Sequence, residues 1–294
     1  MRLKFGVSPS PHPWWIGKVK EFEKWIMEAE NCGYDAIFLP DHYNLPVPMF
    51  PSNELIDTWS TLAFIAAKTT HIKIGTCVTP LPRYLPSQLA KIIATVDILS
   101  NGRIIAGLGA GTFQEEFINY SPQGCLDEPR KRVDRFLEGL QVMIKLWTMD
   151  KVTFNGRFYK LKEAVLLPKP VQKPYPPLWA GAVGSRMLRI SAKYFNAWVP
   201  SRGSTFTPTP EKYEAGVKII TDYLKRYGRN TNEFTFALLG WMTEKVVDDI
   251  DIIDKFVKAG CQYYIVEIPL TPPVKDGRYI QLIRKFAREV MPSF

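Results

Sequence analysis

Eight short runs of apolar and β-branched residues recur along the chain, and most are followed by a stretch whose apolar residues return every three or four positions. The runs are LKFGVS (3–8), DAIFLP (35–40), IKIGTCV (72–78), RIIAGLG (103–109), PLWAGA (177–182), AWVP (197–200), FTFALLG (234–240) and QYYIVEI (262–268). A helix between two strands brings the chain back to the end where it began, so the strands run parallel. Eight units predict an α/β protein with a closed (β/α)8 TIM barrel. An open doubly wound sheet is the alternative, but no GxGxxG follows the first strand.

The helical stretches are expected near 17–32, 57–69, 87–102, 130–147, 184–194, 210–227, 247–259 and 277–290. In the first, Val19, Phe22, Ile26 and Ala29 mark the buried face, and Asn31 and Gly33 end it. Ser87 is the expected N-cap of the third and Gly102 its stop. Residues 150–177 break the rhythm with several prolines and a hairpin signal at Asn155-Gly156. They read as an insertion on the outside of one domain spanning 1–294.

The 294 residues carry a net charge of +9. The densest basic segment, PRKRVDRF (129–136), is interrupted by Asp134 on a helix, so it reads as a solvated face and not a nucleic-acid patch. The charge suits an anionic small molecule. No apolar run approaches the roughly 18–20 residues of a membrane span, and the N-terminus lacks a signal-peptide pattern, so a cytoplasmic protein is expected. Cys32, Cys77, Cys125 and Cys261 have no CxxC spacing, which predicts neither a disulfide framework nor a metal site.

In a barrel of this kind chemistry belongs at the C-terminal ends of the strands. His42 follows Asp41 there, after the second strand; imidazole exchanges protons near neutrality, although an Asp-His pair can equally cap a loop. His12 lies in another such loop, and His71 lies at the opposite end. Trp14, Trp15, Tyr43, Phe50 and Trp241 either wall a pocket or pack loops. The apolar NLPVPMFPSNE after His42 reads as a substrate cover or a subunit contact. Glu115 and Glu116 either partner His42 or sit in a first helical turn, where carboxylates are favoured. GLGAG (107–111) and AGAVGS (180–185) permit close backbone approach, and the second precedes a helix whose amides suit a phosphate.

Taken together, GYDAIFLPDHYN, IKIGTCVTP..R.LP..LA..IATVDILSNGRIIAGLGAG and PPLWAGAVGSRMLRISAKYFNAWV resemble the bacterial luciferase-like superfamily over nearly the whole chain. The sequence is similar to its coenzyme F420 branch, which includes methylenetetrahydromethanopterin reductase and alcohol and glucose-6-phosphate dehydrogenases. The resemblance implies a homodimer and hydride transfer between a deazaflavin and a small-molecule substrate. FMN is the alternative cofactor, in a monooxygenase or in a non-catalytic flavin-binding barrel. His42 matches the proton-exchanging position, and Asp41 a cofactor contact. Cys77 and Val78 match a strand bulge that backs the ring, joined by a cis peptide bond, with Thr79 beside it. Thr79 and Pro80 then turn outward, and Arg83 is carried over the mouth. Ala110, Gly111 and Thr112 match contacts after the fourth strand. Gly181, Ala182, Val183, Gly184, Ser185, Arg186 and Met187 match the loop and helix start that hold the cofactor phosphate. The chain departs from the glucose-6-phosphate enzymes after the fourth strand, where Gln114 replaces an acidic residue and Glu115 follows.

Overall fold

The computed structural model describes residues 2–9, 17–44, 55–200, 208–243, 245–268 and 277–294. His12, Trp14, Trp15, Phe50 and residues 45–54 of the apolar loop lie outside them. In chain order the strands are β1 (Lys4–Pro9), β2 (Ala36–Leu39), β3 (Lys73–Thr76), β4 (Thr79–Pro80), β5 (Ile104–Gly109), β6 (Val152–Asn155), β7 (Lys160–Ala164), β8 (Leu178–Gly181), β9 (Ala197–Trp198), β10 (Thr235–Trp241) and β11 (Tyr263–Ile268). The helices are α1 (Val19–Asn31), α2 (Thr58–Lys68), α3 (Pro86–Leu99), α4 (Gln114–Tyr120), α5 (Pro129–Thr148), α6 (Ser185–Tyr194), α7 (Pro210–Arg226), α8 (Asp248–Lys258) and α9 (Arg278–Glu289).

The sheet runs β3-β2-β1-β11-β10-β9-β8-β5-β4, all parallel, and β3 also pairs with β5, which closes it. β3 and β4 are two halves of one strand interrupted at Cys77 and Val78, so the barrel has the expected eight staves. The bond between those two residues is cis, as the resemblance implies. Thr79 and Pro80 do not turn outward; they continue the strand against Leu108 and Gly109 of β5.

Strand alternation sorts side chains into two cores. Phe38, Ile105, Trp179, Leu239, Tyr263 and Ile265 point inward and fill the lumen. Trp179 meets Phe38 at 5.1 Å and Tyr263 edge-on at 5.0 Å between ring centroids. The intervening residues pack outward against the helices; on α1 these meet Phe22, Trp25, Ile26 and Ala29. Val19, expected on that face, is exposed, and Trp25 fills the stripe instead. Gly33 ends the α1 segment at φ 79°, a left-handed conformation that suits glycine.

One local expectation is corrected. α3 begins at Pro86 with Leu85 as its N-cap, because proline is preorganised for a first helical position; Ser87 lies inside the first turn. The hairpin signalled at Asn155-Gly156 is present, with residues 156–159 connecting its strands. β6 and β7 pair antiparallel across residues 156–159, whose amides at 157, 158 and 159 donate to the Glu138 carboxylate at 3.0, 2.8 and 2.7 Å. A side chain from α5 thus supplies what a tight turn would have supplied locally.

Candidate active site

The C-terminal end of β2 hands the chain directly to Asp41 and His42, and three other segments converge there. Asp41 is wholly buried. Its carboxylate accepts hydrogen bonds from Thr79 Oγ1 at 2.7 Å and Tyr84 Oη at 3.0 Å, and from Arg83 Nη2 in an ion pair. Arg83 ends the 3-10 turn Leu81–Arg83 and is also buried. Its other amino group donates to Glu116 Oε1 at 2.9 Å, and its guanidinium lies 3.9 Å from the Tyr43 ring centroid. Arg83 is therefore a buried clamp between two carboxylates and not a cation held over the mouth. Thr79 is fully buried as well, its hydroxyl spent on Asp41.

Glu116 completes the chain of contacts. It sits in the first turn of α4 and is buried, while its neighbour Glu115 is exposed. Both first-turn placement and partnership with His42 hold for Glu116. Its oxygens accept from the Tyr43 amide at 2.6 Å and lie 3.2 and 3.3 Å from His42 Nδ1. Burial pushes the Glu116 carboxyl up, but the hydrogen bond and charge of His42, together with Arg83, hold it below its ordinary value. Burial raises the Asp41 carboxyl from its ordinary value against the opposing pull of Arg83. The same two carboxylates keep Arg83 charged despite its burial.

The consequence for His42 is a fixed ring. A carboxylate at Nδ1 takes a hydrogen from it, so the tautomer leaves Nε2 as the exchanging nitrogen. His42 keeps 27% of its side-chain surface exposed and lies 5.5 Å from the Phe113 ring. When it carries a second proton, two carboxylates in the cluster face two cations.

A second group of predicted residues forms a wall. Cys77 and Val78 border the lumen cluster. A Cβ at Gly109 would lie 2.8 Å from a Val78 methyl, and one at Gly181 only 2.6 Å away. These glycines are therefore required by the close approach of Val78; they do not leave an open space for a ligand. The result is a continuous surface in which Val78 occupies the volume that two side chains would have filled.

The remaining predicted positions divide. Gly184 is the N-cap of α6, no side chain caps that helix, and a Cβ at Gly184 would meet nothing within 4 Å. Val183, Gly184 and Ser185 are exposed there. Ala182 and Met187 belong to the outer core instead, and the Ala182 carbonyl accepts from the Trp198 indole at 2.7 Å. Arg186 turns away to α5, pairing with Asp134 and donating to the Arg130 carbonyl at 3.1 Å. Ala110 and Gly111 are half-buried and Thr112 is exposed. The side chains of Asp41, Thr79, Ala182 and Met187 are thus each buried in a network or core.

Sequence reasoning did not identify the roles of Arg83, Tyr84 and Glu267. Only the strand period could have flagged Glu267, an acid at an inward position of QYYIVEI. Among the described residues no cluster of potential metal ligands occurs, and no helix is long and apolar enough to cross a membrane.

Comparison with known proteins places this geometry in context. A family model described as luciferase-like monooxygenase matches residues 4–242. An F420-dependent glucose-6-phosphate dehydrogenase of Microbacterium testaceum is 29% identical over 234 residues, 79% of this chain; the match spans 65% of that relative's length. An F420-dependent secondary alcohol dehydrogenase, solved with an F420-acetone adduct, superimposes with a TM-score of 0.80 at 19% identity, covering 100% of this chain and 99% of that one. The monooxygenase RslO1 of Streptomyces bottropensis gives 0.82 at 18% identity, with 99% of each chain covered.

Proposed function

The chain belongs to the luciferase-like monooxygenase family, and from that premise we propose that it is an F420-dependent oxidoreductase. It transfers a hydride between the deazaflavin and a carbonyl, alcohol or imine carbon of a small organic substrate. One observation carries the catalytic part: His42 stands at the C-terminal mouth of the barrel with Nδ1 committed to Glu116 and Nε2 left to exchange a proton.

The residues present fit such a cofactor. The smooth Cys77–Val78 surface, with no side chain rising from Gly109 or Gly181, offers a wall for a planar ring. The open, uncapped start of α6 at Gly184 and Ser185 offers backbone amides to a phosphate. When bound, the deazaflavin supplies the two-electron hydride carrier. The protein's share is to orient and to move one proton. His42 gives a proton to the substrate oxygen or nitrogen as the hydride arrives, and takes it back in the reverse direction. Glu116 holds the ring of His42 and balances its positive charge, while Arg83 and Asp41 hold Glu116. We further propose that the protein works as a homodimer, as the resemblance implies, which sedimentation would test.

The cofactor assignment is tested by releasing any bound molecule from purified protein for mass spectrometry, then titrating apoprotein with F420 and with FMN. Tight F420 binding with weak FMN binding is expected. Preference for FMN would replace the reading with an FMN-dependent monooxygenase, and binding of neither would remove the enzyme assignment.

A further inference from the structure

Glu267 is the one acidic residue of β11 and is placed where a structural role is hard to find. Tyr263 and Ile265 of this strand belong to the lumen core, while Tyr264, Val266 and Ile268 belong to the outer core. The alternation therefore points Glu267 inward, one step above Ile265 at the C-terminal end of the barrel. Its charge is felt at Cys77, on a stave three positions round the barrel, and raises the thiol there. It is nine-tenths buried, and among the described residues it forms no ion pair. The hydroxyl of Ser8, its register partner on β1, donates instead to the Pro9 carbonyl. The Trp241 side chain, half exposed at the end of the adjoining strand, is its hydrogen-bonding neighbour.

A buried carboxyl with an indole donor and no cation among the described residues lowers stability unless something else uses it. We propose that Glu267 is a hydrogen-bond acceptor for the molecule held in the barrel mouth, taking a hydroxyl or N–H hydrogen from it. The inference rests on the cofactor reading above for the identity of that molecule. Two sources share the chemistry: the deazaflavin ring, which carries both a hydroxyl and an imide N–H, and an alcohol or amine substrate. Burial pushes the Glu267 carboxyl up to about 7, against the indole, so the group can also share a proton with its ligand near neutrality. Neither Asp41 nor Glu116 can play this part, because their oxygens are already occupied.

The test compares wild type with Glu267→Leu and Glu267→Gln. Without ligand, Glu267→Leu should melt at or above the wild-type temperature, since it removes a buried carboxyl that pairs with no cation among the described residues. If the donor belongs to the deazaflavin, Glu267→Leu weakens F420 binding, read by fluorescence titration, by about tenfold or more, and Glu267→Gln, which keeps an acceptor oxygen, recovers part of it. If the donor belongs to the substrate, F420 binding is unchanged. The loss then appears as a vanished preference for propan-2-ol over acetone, read as quenching of bound F420. Unchanged F420 affinity with an unchanged preference overturns the proposal, as does a lower melting temperature for both variants with binding intact. If wild type binds no F420, the cofactor reading falls separately. The melting comparison then decides the role of Glu267: a lower value makes it structural, and an equal or higher value supports the proposal.

Discussion

Replacing Arg83 by methionine removes the single cation between two buried carboxylates while roughly keeping its volume. Asp41 and Glu116 are both essentially without solvent contact, and each has Arg83 as an ion-pair partner. Breaking a buried pair by removing one partner costs about 3–5 kcal/mol, because the other charge is left uncompensated. Here Asp41 loses its ion-pair partner and Glu116 keeps only His42, and the contacts of the guanidinium with Tyr43 at 3.9 Å and Tyr84 at 5.2 Å also go. A loss at the upper end of that range is expected, a large part of the roughly 5–15 kcal/mol that holds a typical domain. The pH dependence follows from linkage. Arg83 lowers the pKa of both carboxyls, so its removal raises both. Between the unfolded carboxylate values near 4 and the raised folded values, the native variant then binds more protons than the unfolded chain, so its stability falls as pH rises. The penalty relative to wild type should therefore shrink from pH 7.5 to pH 5. Urea unfolding of both proteins at the two pH values measures it. A penalty below about 1 kcal/mol at pH 7.5, far short of a broken buried pair, or one that grows on acidification, would refute the account of the cluster.

Three further outcomes are expected. His42→Asn should keep the fold and F420 affinity but lower turnover by about 10²–10⁴-fold, the usual worth of a general acid or base, in single-turnover hydride transfer; unchanged turnover removes the role. Gly181→Ala should lower the melting temperature, because its methyl would stand 2.6 Å from a Val78 methyl, an overpacking that typically costs about 1–3 kcal/mol. Gly184→Trp meets open space, so it should melt like wild type and yet bind F420 more weakly in a fluorescence titration; equal affinity would move the phosphate elsewhere.

The barrel itself was written in the chain. Two periods, two residues for LKFGVS or QYYIVEI and nearly four for the α1 and α5 stretches, settle which faces are apolar, and eight alternations leave a parallel barrel as the consistent way to bury them. The position of His42 followed from the same logic, since a residue just past β2 must stand at the mouth. What the chain could not disclose was what each polar residue would touch. Glu115 and Glu116 are adjacent and chemically alike, yet a turn of about 100° per helical residue buries one against His42 and leaves the other in water. Arg83 looks like any loop arginine until the fold sets Asp41 and Glu116, far from each other in sequence, on either side of it. The glycines that end β5 and β8 likewise look like room for a ligand, and only the packed barrel puts Val78 into that room. Local periodicity depends on residues a few positions apart and can be read in one dimension. Charge pairing and close packing join residues tens of positions apart, and only the closed barrel brings them within reach of one another.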